Sequence, residues 1–312
     1  MRAQTVGAAS AANSADHDEA SRIPGAGWSG PILNKTTSNH AGGLTMTSKN
    51  EYRYKTFTTK LLLRDMQFHK SAPRAGEPFP DFRLETTDGH IISKQDYIDN
   101  KPLLLVFGSL TCPMTASAMP RLERLYNSFG DKVEFVLLNV REAHPGEYLP
   151  QPETLESKME HARQLKQLYG LHWTVVSDDI DGSLHRALDP KPNAVFIMSR
   201  TGDVVFRSLW ASDEEPLAEA LDRLVQDKPL VKTQSQNLLL PVIRAMGVVN
   251  EVMQRGGPAA VRDLWLAGFP MALAGKLASL LTPLSADARG IASVSTLGVG
   301  MAVAIGLVWY WL

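Results

Sequence analysis

The stretch LLLVFGSLTCP, residues 103–113, decides the fold and contains the single cysteine of this 312-residue chain. Its first half is continuously apolar, as expected for a strand that is covered on both faces. Pro113 suits the first position of a helix, because the missing N–H of proline would have no partner there. Apolar residues then recur at helical spacing as far as Phe129, and Gly130 is placed to end that helix. The sequence therefore predicts Cys112 at a turn from a buried strand into a helix.

The segments on either side of this turn, from residue 75 to 229, have the pattern of a compact α/β domain. A hairpin comes first, formed by FRLETT, the turn Asp88-Gly89 and HIIS. After the predicted helix come a strand KVEFVLLNV, a helix from about Leu155 to Leu168 and a strand HWTVVS. A second hairpin, NAVFIMS with VVFRSLW, and the helix EEPLAEALDRLV complete the domain. This order predicts an α/β, thioredoxin-like fold with an N-terminal β-hairpin extension.

Four further segments flank this domain. Residues 1–50 have almost no large apolar residues and are predicted to be a disordered arm. Residues 51–74 form a basic lead-in segment, interpreted either as solvated or as a membrane-surface or docking segment. Residues 236–290 are predicted to form amphipathic helices. Residues 291–312 carry no charge and are long enough to cross a bilayer, so they are predicted to be a C-terminal transmembrane anchor or, alternatively, a buried terminal helix.

Composition excludes several classes of function. The chain has 32 Lys and Arg residues against 33 Asp and Glu residues, and no basic stripe interleaved with aromatic residues, so nucleic acid is not an expected partner. A single cysteine excludes an intrachain disulfide and a CxxC dithiol, so redox chemistry must take its second thiol from another molecule. His161, His172 and His185 are interpreted as surface or packing histidines, and no metal is predicted.

Cys112 is predicted to be a reactive thiol rather than a small buried hydrophobe. A helix N-terminus favours the thiolate, the nucleophilic form, because its unpaired N–H groups and the helix dipole stabilise negative charge. Ser109 and Thr111 carry hydroxyls that can donate to a thiolate or to a departing anion. The alternative is an inert cysteine at the end of an apolar strand.

A second polar group, Glu142 and His144, follows directly after the strand KVEFVLLNV. Because the carboxyl ends of neighbouring parallel strands lie at one edge of a sheet, this loop is expected close to Cys112. His144 is predicted to transfer a proton or to stabilise the thiolate, and Glu142 to orient it; a solvated loop is the alternative. Pro192 stands where a thioredoxin-like fold has a cis-proline facing the active site, or else marks a bend before a strand.

The string FGSLTCP, followed by REAHP at residues 141–145, resembles the iodothyronine deiodinase family. Members of that family carry a selenocysteine in the first motif and a Glu-Ala-His-Pro loop in the second. The resemblance implies a thioredoxin-like fold and puts the cysteine in place of the selenocysteine as the nucleophile. The positions that match the family's active site are Cys112, Ser109, Thr111, Glu142 and His144.

The resemblance covers about residues 73–228, and the chain departs from the family at several points. Cysteine is a less acidic nucleophile than selenocysteine, so slower dehalogenation is expected. The family's tyrosine before the loop is Asn139 here, and the position of its second histidine falls near Pro152, so neither role is carried over. The family's membrane anchor is N-terminal, whereas the candidate in this chain is C-terminal.

The leading hypothesis is a thiol-dependent oxidoreductase. The Cys112 thiolate would dehalogenate an iodinated aromatic or attack a related soft electrophile, and an external thiol such as glutathione or thioredoxin would regenerate it. No bound cofactor is predicted. One alternative is a one-cysteine peroxidase of the peroxiredoxin kind, for which Ser109 has the expected spacing but Leu105 replaces that group's proline. The other alternative is a non-catalytic, membrane-tethered redoxin module.

The predicted partners are a small-molecule substrate, a thiol reductant and a membrane, and a homodimer is left open. A transmembrane segment at residues 291–312 would place the redox domain on the cytoplasmic side of the membrane. If that segment is instead a buried helix, a soluble cytoplasmic protein is expected.

Overall fold

The computed structural model describes residues 52–311, so the arm predicted for residues 1–50 lies outside the described residues. The described part contains one mixed sheet in the order β2-β1-β5-β4-β3-β6-β7-β8. Its strands are β1 (Arg83–Thr86), β2 (Ile91–Ser93), β3 (Leu103–Gly108), β4 (Glu134–Asn139), β5 (Thr174–Ser177), β6 (Val195–Met198), β7 (Val204–Ser208) and β8 (Gln234–Ser235). The short strand β8, parallel to β7, is an addition that the sequence analysis does not predict.

The centre of the sheet has the thioredoxin-like arrangement. Strands β3, β4 and β5 are parallel, whereas β6 and β7 form an antiparallel hairpin beside β3. The predicted N-terminal hairpin, β1 with β2, joins the opposite edge by pairing antiparallel to β5. The predicted fold is therefore confirmed, and β3 is buried along its whole length because it has a strand on each side and helices on the faces.

Four helices belong to this domain: α2 (Pro113–Phe129), α3 (Leu155–Tyr169), α4 (Ser183–Leu188) and α5 (Glu214–Val225). Side chains from α2, α3 and α5 pack together on one face of the sheet. Helix α4 packs on the other face with the N-terminal hairpin. Helix α3 ends at Gly170, whose φ of 59° is left-handed, and this end agrees with the predicted boundary to within a residue or two.

The segment from 51 to 74 contains helix α1 (Thr59–Asp65) and packs against the domain. Tyr52 and Phe57 are buried, and the Tyr54 hydroxyl donates to the Ala143 carbonyl oxygen at 2.9 Å. The guanidinium of Arg141 lies over the rings of Tyr52 and Tyr54, at 4.8 and 5.0 Å from their centroids. The interpretation of this segment as a solvated lead-in is therefore wrong, because its aromatic residues pack on the loop that carries Glu142 and His144.

The region beyond residue 236 is helical, in agreement with the predicted pattern. It contains α6 (Leu239–Gly256), α7 (Pro258–Ala267), α8 (Phe269–Ala278) and α9 (Ala286–Trp311). Helix α6 packs on α2, and the apolar cluster between them includes Cys112. The C-terminal helices therefore cover the strand-to-helix turn on which the sequence analysis centres.

Helix α9 begins five residues before the predicted span. Its first turns pack on the other helices, as a terminal helix of the domain would, and the rest is exposed, as expected for a membrane anchor. Its first turns cross α6 at glycines: a Cβ added at Gly247 would lie 1.7 Å from the Ala286 oxygen, and one at Gly290 would lie 2.3 Å from the Ile243 oxygen. The Asp287 carboxylate forms an ion pair with Arg121 on α2. An 18-residue stretch within Ala286–Trp309 has a mean hydropathy of 2.1 and is 6% buried, so by length and composition this helix is a candidate membrane span.

Candidate active site around Cys112

Cys112 is the N-cap of helix α2, as predicted. Its backbone is extended, with φ −100° and ψ 113°, and its Sγ accepts a hydrogen bond from the Thr115 N–H at 3.4 Å. Pro113 occupies the first helical position. The sulfur therefore points along the end of the helix, where backbone N–H groups are directed at it.

The thiol is nevertheless almost fully buried, with 1% of Cys112 exposed. Burial raises the pKa of the thiol from its ordinary value of 9.0 to about 11, and the hydrogen bond from Thr115 offsets only part of that rise. The predicted stabilisation of the thiolate is therefore outweighed in this closed state, because a charged sulfur would have no water around it. At neutral pH the closed site holds a protonated thiol.

Cys112 lies in the wall of a mainly apolar cavity of about 50 Å³. Five regions of the chain contribute to this wall: α1 and the segment before it, the start of α2, the loop after β4, the residues flanking β6 and β7, and the C-terminal helices. The side chains facing it include Phe57, Leu62, Asp65, Met66, Met114, His144, Pro192, Trp210, Val242, Met246, Val249, Leu264 and Met271. The cavity has room for a few water molecules but not for an aromatic ligand until a wall moves.

Glu142 is completely buried and is held by three hydrogen bonds. Its Oε2 accepts from the Thr111 N–H at 2.9 Å and from the Thr111 hydroxyl at 2.6 Å, and its Oε1 lies 2.8 Å from Nδ1 of His161. The predicted pairing of Glu142 with His144 is wrong. His161, interpreted as a surface or packing residue rather than a ligand, is instead part of the site as the hydrogen-bond partner of Glu142.

His144 lies beside the cavity without a hydrogen bond to its ring Nδ1. The ring packs against Phe57, with 4.1 Å between the two ring centroids. Burial lowers the pKa of His144 to about 3, so the imidazole is neutral at physiological pH. A neutral ring cannot stabilise the thiolate by its charge, and that part of the prediction fails in the closed state.

Ser109 and Thr111 are buried beneath the loop, and the hydroxyls of both bond to it. The Thr111 hydroxyl donates to Glu142 and accepts from the His144 N–H at 3.1 Å. The Ser109 Oγ accepts from the Ala143 N–H at 3.3 Å. The two hydroxyls therefore bind the end of β3 to the active-site loop. The Thr111 hydroxyl donates its proton to Glu142 and is not available to the thiolate, whereas the Ser109 hydroxyl only accepts here and keeps its proton for another acceptor.

Pro192 lines the same cavity as Cys112. Its peptide bond is trans, because the described residues contain no cis peptide bond, and the cis-proline prediction is wrong. The bend before β6 is instead held by Asn193, whose side-chain amide donates to the Phe107 carbonyl oxygen at 2.9 Å.

Two residues at this site were missed by sequence reasoning, namely Asp65 and His161. Asp65 lines the cavity, its Oδ1 has no hydrogen-bond partner, and burial raises its pKa to about 6. His161 shares the buried face of α3 with Lys158, Ala162 and Leu165. That helical spacing could have indicated an inward His161, whereas nothing in the sequence near Asp65 indicates that α1 folds back over the thiol.

The neutral state of His144 makes the fold sensitive to acid. The folded protein keeps this ring unprotonated to about pH 3, whereas the unfolded chain takes up a proton below its ordinary pKa of 6.5. The free energy of unfolding therefore falls as the pH drops below 6.5, by up to about 1.4 kcal/mol per pH unit. Between pH 6.5 and 4.5 the free energy of unfolding should fall in both proteins, and we expect the fall to be about 2 kcal/mol smaller for His144→Gln than for the wild type. Urea unfolding at each pH measures it.

The matched control is His172→Gln, which replaces an exposed histidine and should leave the pH dependence of stability unchanged. Parallel pH profiles for His144→Gln and the wild type would contradict the assignment of a neutral, buried His144.

The comparison with protein families agrees with this geometry. The family profile described as "Iodothyronine deiodinase" matches residues 45–209, which is more than half of the chain and includes both active-site motifs. The chain belongs to the iodothyronine deiodinase family. The deiodinase profile ends at residue 209, just after β7. Helices α6 to α8, which close the cavity, and helix α9 therefore lie outside the matched part.

Curated deiodinases match over a shorter stretch. The human thyroxine 5-deiodinase is 33% identical over 116 residues, covering 33% of this chain and 37% of the human protein. The bovine type II iodothyronine deiodinase is 28% identical over 148 residues, covering 42% of this chain and 55% of that protein. The chain therefore spans a little more than a third of the human relative, and family membership with a thioredoxin-like fold supports a thiol-dependent redox role rather than a particular substrate.

Solved structures with a similar fold include an uncharacterised conserved protein from Geobacillus kaustophilus, with a TM-score of 0.43 and 20% identity, covering 52% of this chain and 87% of that one. A putative thiol:disulfide interchange protein DsbE from Chlorobium tepidum has a TM-score of 0.38 and 18% identity, covering 50% and 98%. TM-scores this low support no conclusion about function.

Proposed function

We propose that this protein is a thiol-dependent reductive dehalogenase of iodinated aromatic compounds. The observation that carries the proposal is the position of Cys112: a lone thiol at the N-terminus of α2, in the wall of an apolar cavity, next to the loop of the deiodinase motif. An apolar wall suits an aromatic ring, and a soft sulfur nucleophile suits attack on iodine.

The reaction needs the thiol proton to be removed and later given to the ring carbon. Asp65 is suited to this transfer because it lines the cavity, its Oδ1 has no hydrogen-bond partner and only a long ion-pair contact of 3.8 Å with Arg64 Nε, and its pKa of about 6 is near neutral pH. The Asp65 carboxylate takes the proton from Cys112, the thiolate attacks iodine, and the carbon–iodine bond breaks. The carbon receives the proton from Asp65, and Cys112 becomes a sulfenyl iodide.

An external thiol, such as glutathione or the dithiol of a thioredoxin, then attacks the sulfenyl sulfur and releases iodide and a proton. A second thiol equivalent breaks the resulting mixed disulfide and restores Cys112. In sum, one aryl iodide and two thiols give one deiodinated arene, one disulfide, iodide and a proton. The described residues contain one cysteine, so the second thiol has to come from a partner.

The test is a comparison of two substrates with the full-length protein in detergent. Iodide release from an iodophenol with dithiothreitol and consumption of hydrogen peroxide with dithiothreitol are measured for the wild type and for Cys112→Ser. We expect iodide release that falls at least about a hundredfold in the variant, since the serine hydroxyl is a far weaker nucleophile. Peroxide consumption alone would favour the one-cysteine peroxidase, and no Cys112-dependent turnover of either substrate would favour the non-catalytic module.

A further inference from the structure

Helix α9 leaves the protein beside the beginning of α6. Gly247 of α6 contacts Ala286 of α9, and Ile243 of α6 contacts Gly290 of α9. The contacting residue number therefore increases along α9 while it decreases along α6. The two helices are therefore antiparallel, and the first turn of α6, at Leu239, lies level with residue 294 of α9. Beyond that level α9 continues as an exposed apolar helix.

The beginning of α8 and the end of α7 lie at the same level. Met271 faces the cavity together with Val242, whereas Gly275, further along α8, approaches Val249. Helix α8 therefore runs in the same direction as α6. Helix α1 joins this end of the bundle, because the Thr59 hydroxyl donates to the carbonyl oxygen of Ala267, the last residue of α7, at 3.1 Å.

Large apolar side chains are exposed around this level, and we refer to them as the apolar collar. Leu239 is 72% exposed, Leu266 is 77% exposed and Phe269 is 57% exposed. The complete collar consists of Leu63, Leu238, Leu239, Leu240, Leu266 and Phe269. A concentration of this kind on one end of a protein marks a surface that contacts something apolar.

The cavity of Cys112 reaches the surface inside this collar. Most of its lining is buried. Five of the lining residues are partly exposed: Leu62 and Met66 at the end of α1, Val242 in the first turn of α6, Met271 in the first turn of α8, and Pro192 before β6. The gap between α1, α6 and α8 is therefore the mouth of the cavity.

We propose that the apolar collar sits in the surface of the bilayer that α9 enters, and that substrates reach Cys112 from the lipid through the gap between α1, α6 and α8. This deepens the proposed function, on which it rests, by naming the substrate class: an uncharged, lipid-soluble aromatic electrophile rather than a charged solute from water.

A bilayer fits the collar better than a second copy of the chain does. Residues 294–311 extend beyond the collar by about 27 Å at 1.5 Å per residue. That length is close to the hydrocarbon thickness of about 30 Å, so a spanning α9 brings the collar to the lipid boundary. Because Asp287 is paired with Arg121 of α2, the base of α9 is tied to the helix that carries Cys112, and the cavity mouth is oriented together with the collar.

The docking part is tested with nitroxide labels on full-length protein in lipid nanodiscs. Cys112→Ser removes the single cysteine, so Leu239→Cys, Phe269→Cys and Leu280→Cys can be labelled one at a time in that background. Leu280 is the control, since it is 68% exposed but follows α8 at the opposite end of the bundle. We expect labels at 239 and 269 to be more accessible to oxygen, which concentrates in lipid, than to an aqueous nickel chelate, and the label at 280 to show the reverse.

Collar labels with the accessibility of the Leu280 label would overturn the proposal. Spin–spin broadening between copies at 239 and 269, without access to lipid oxygen, would also overturn it and would show a dimer interface instead.

The access part is tested with the unmodified thiol in the same nanodiscs. Cys112 is alkylated with a long-chain alkyl maleimide and, separately, with a sulfonated maleimide. Each rate is divided by the rate at which the same reagent labels the thiol of the Leu280→Cys control. We expect the alkyl reagent to be favoured at least tenfold, and Val242→Trp, which narrows the mouth, to remove most of that preference while Leu280→Trp does not. Equal normalised rates would overturn lipid access. Neither readout requires turnover, so failure here is distinguishable from failure of the dehalogenase proposal.

Discussion

Gly146→Val is expected to raise the rate of Cys112 alkylation at pH 8 by about a hundredfold. Gly146, in the active-site loop, touches the last residue of α6: an added Cβ would lie 2.3 Å from the Gly256 oxygen. The same contact includes a hydrogen bond from the Tyr148 N–H to the Gly256 carbonyl oxygen at 3.1 Å. A valine side chain cannot fit there, so the end of α6 must move off the loop and admit water to the cavity.

The magnitude follows from the thiolate population. With a pKa of about 11, roughly one thiol in a thousand is ionised at pH 8; with the ordinary value of 9.0, roughly one in ten is. The measurement is the pseudo-first-order rate of iodoacetamide labelling as a function of pH, which should show the pKa moving down in the variant.

Gly298→Val is the matched control, because an added Cβ at Gly298 meets nothing within 4 Å. It should label at the wild-type rate. Gly146→Ala provides a milder step, and the melting temperature of each variant separates local opening from global unfolding. A folded Gly146→Val protein that labels at the wild-type rate would show that α6 is not what keeps the thiol neutral.

Glu142→Ala should lower the free energy of unfolding by about 3–5 kcal/mol. The carboxylate is fully buried and accepts from the Thr111 N–H, the Thr111 hydroxyl and His161. Its removal leaves three buried polar groups without an acceptor, and each unpaired group carries a desolvation penalty. Urea unfolding in detergent measures the loss, and the active-site loop should become sensitive to proteolysis at lower urea concentrations than in the wild type.

Two variants give this result its controls. Glu160→Ala removes an exposed carboxylate next to His161 on α3 and should change stability by less than about 0.5 kcal/mol. Glu142→Gln keeps an oxygen acceptor for Thr111 and should cost less than the alanine variant. A loss below about 1 kcal/mol for Glu142→Ala would mean that the three partners find other acceptors, and the proposed role of Glu142 in holding the loop would be withdrawn.

The main features of the redox domain were predictable because they depend on local pattern. The apolar run of β3, the proline at the start of α2 and the glycine at its end are interactions between residues close in sequence. The proximity of the Glu142 loop to Cys112 was predictable for a different reason: parallel neighbouring strands bring their carboxyl ends together whatever their side chains are.

The hydrogen-bond partners within the site were not predictable in the same way. Glu142 had His144 two residues away, yet it pairs with His161 from the next helix. Thr111 binds both the Glu142 carboxylate and the His144 N–H, while the His144 ring packs against Phe57. Such a choice depends on the packing of three separate elements.

The sequence alone is enough to predict the thioredoxin-like domain, the lone cysteine at the start of a helix and the apolar helix long enough to span a membrane. That this cysteine is a neutral, buried thiol depends on the tertiary structure. Residues distant in sequence, from α1 and from α6 to α8, cover Cys112 and exclude the water that would stabilise its charge. The exposure of the sulfur to water depends on all the residues packed around it, and this exposure sets its pKa. The local pattern of residues 103–113 does not show which helices pack there.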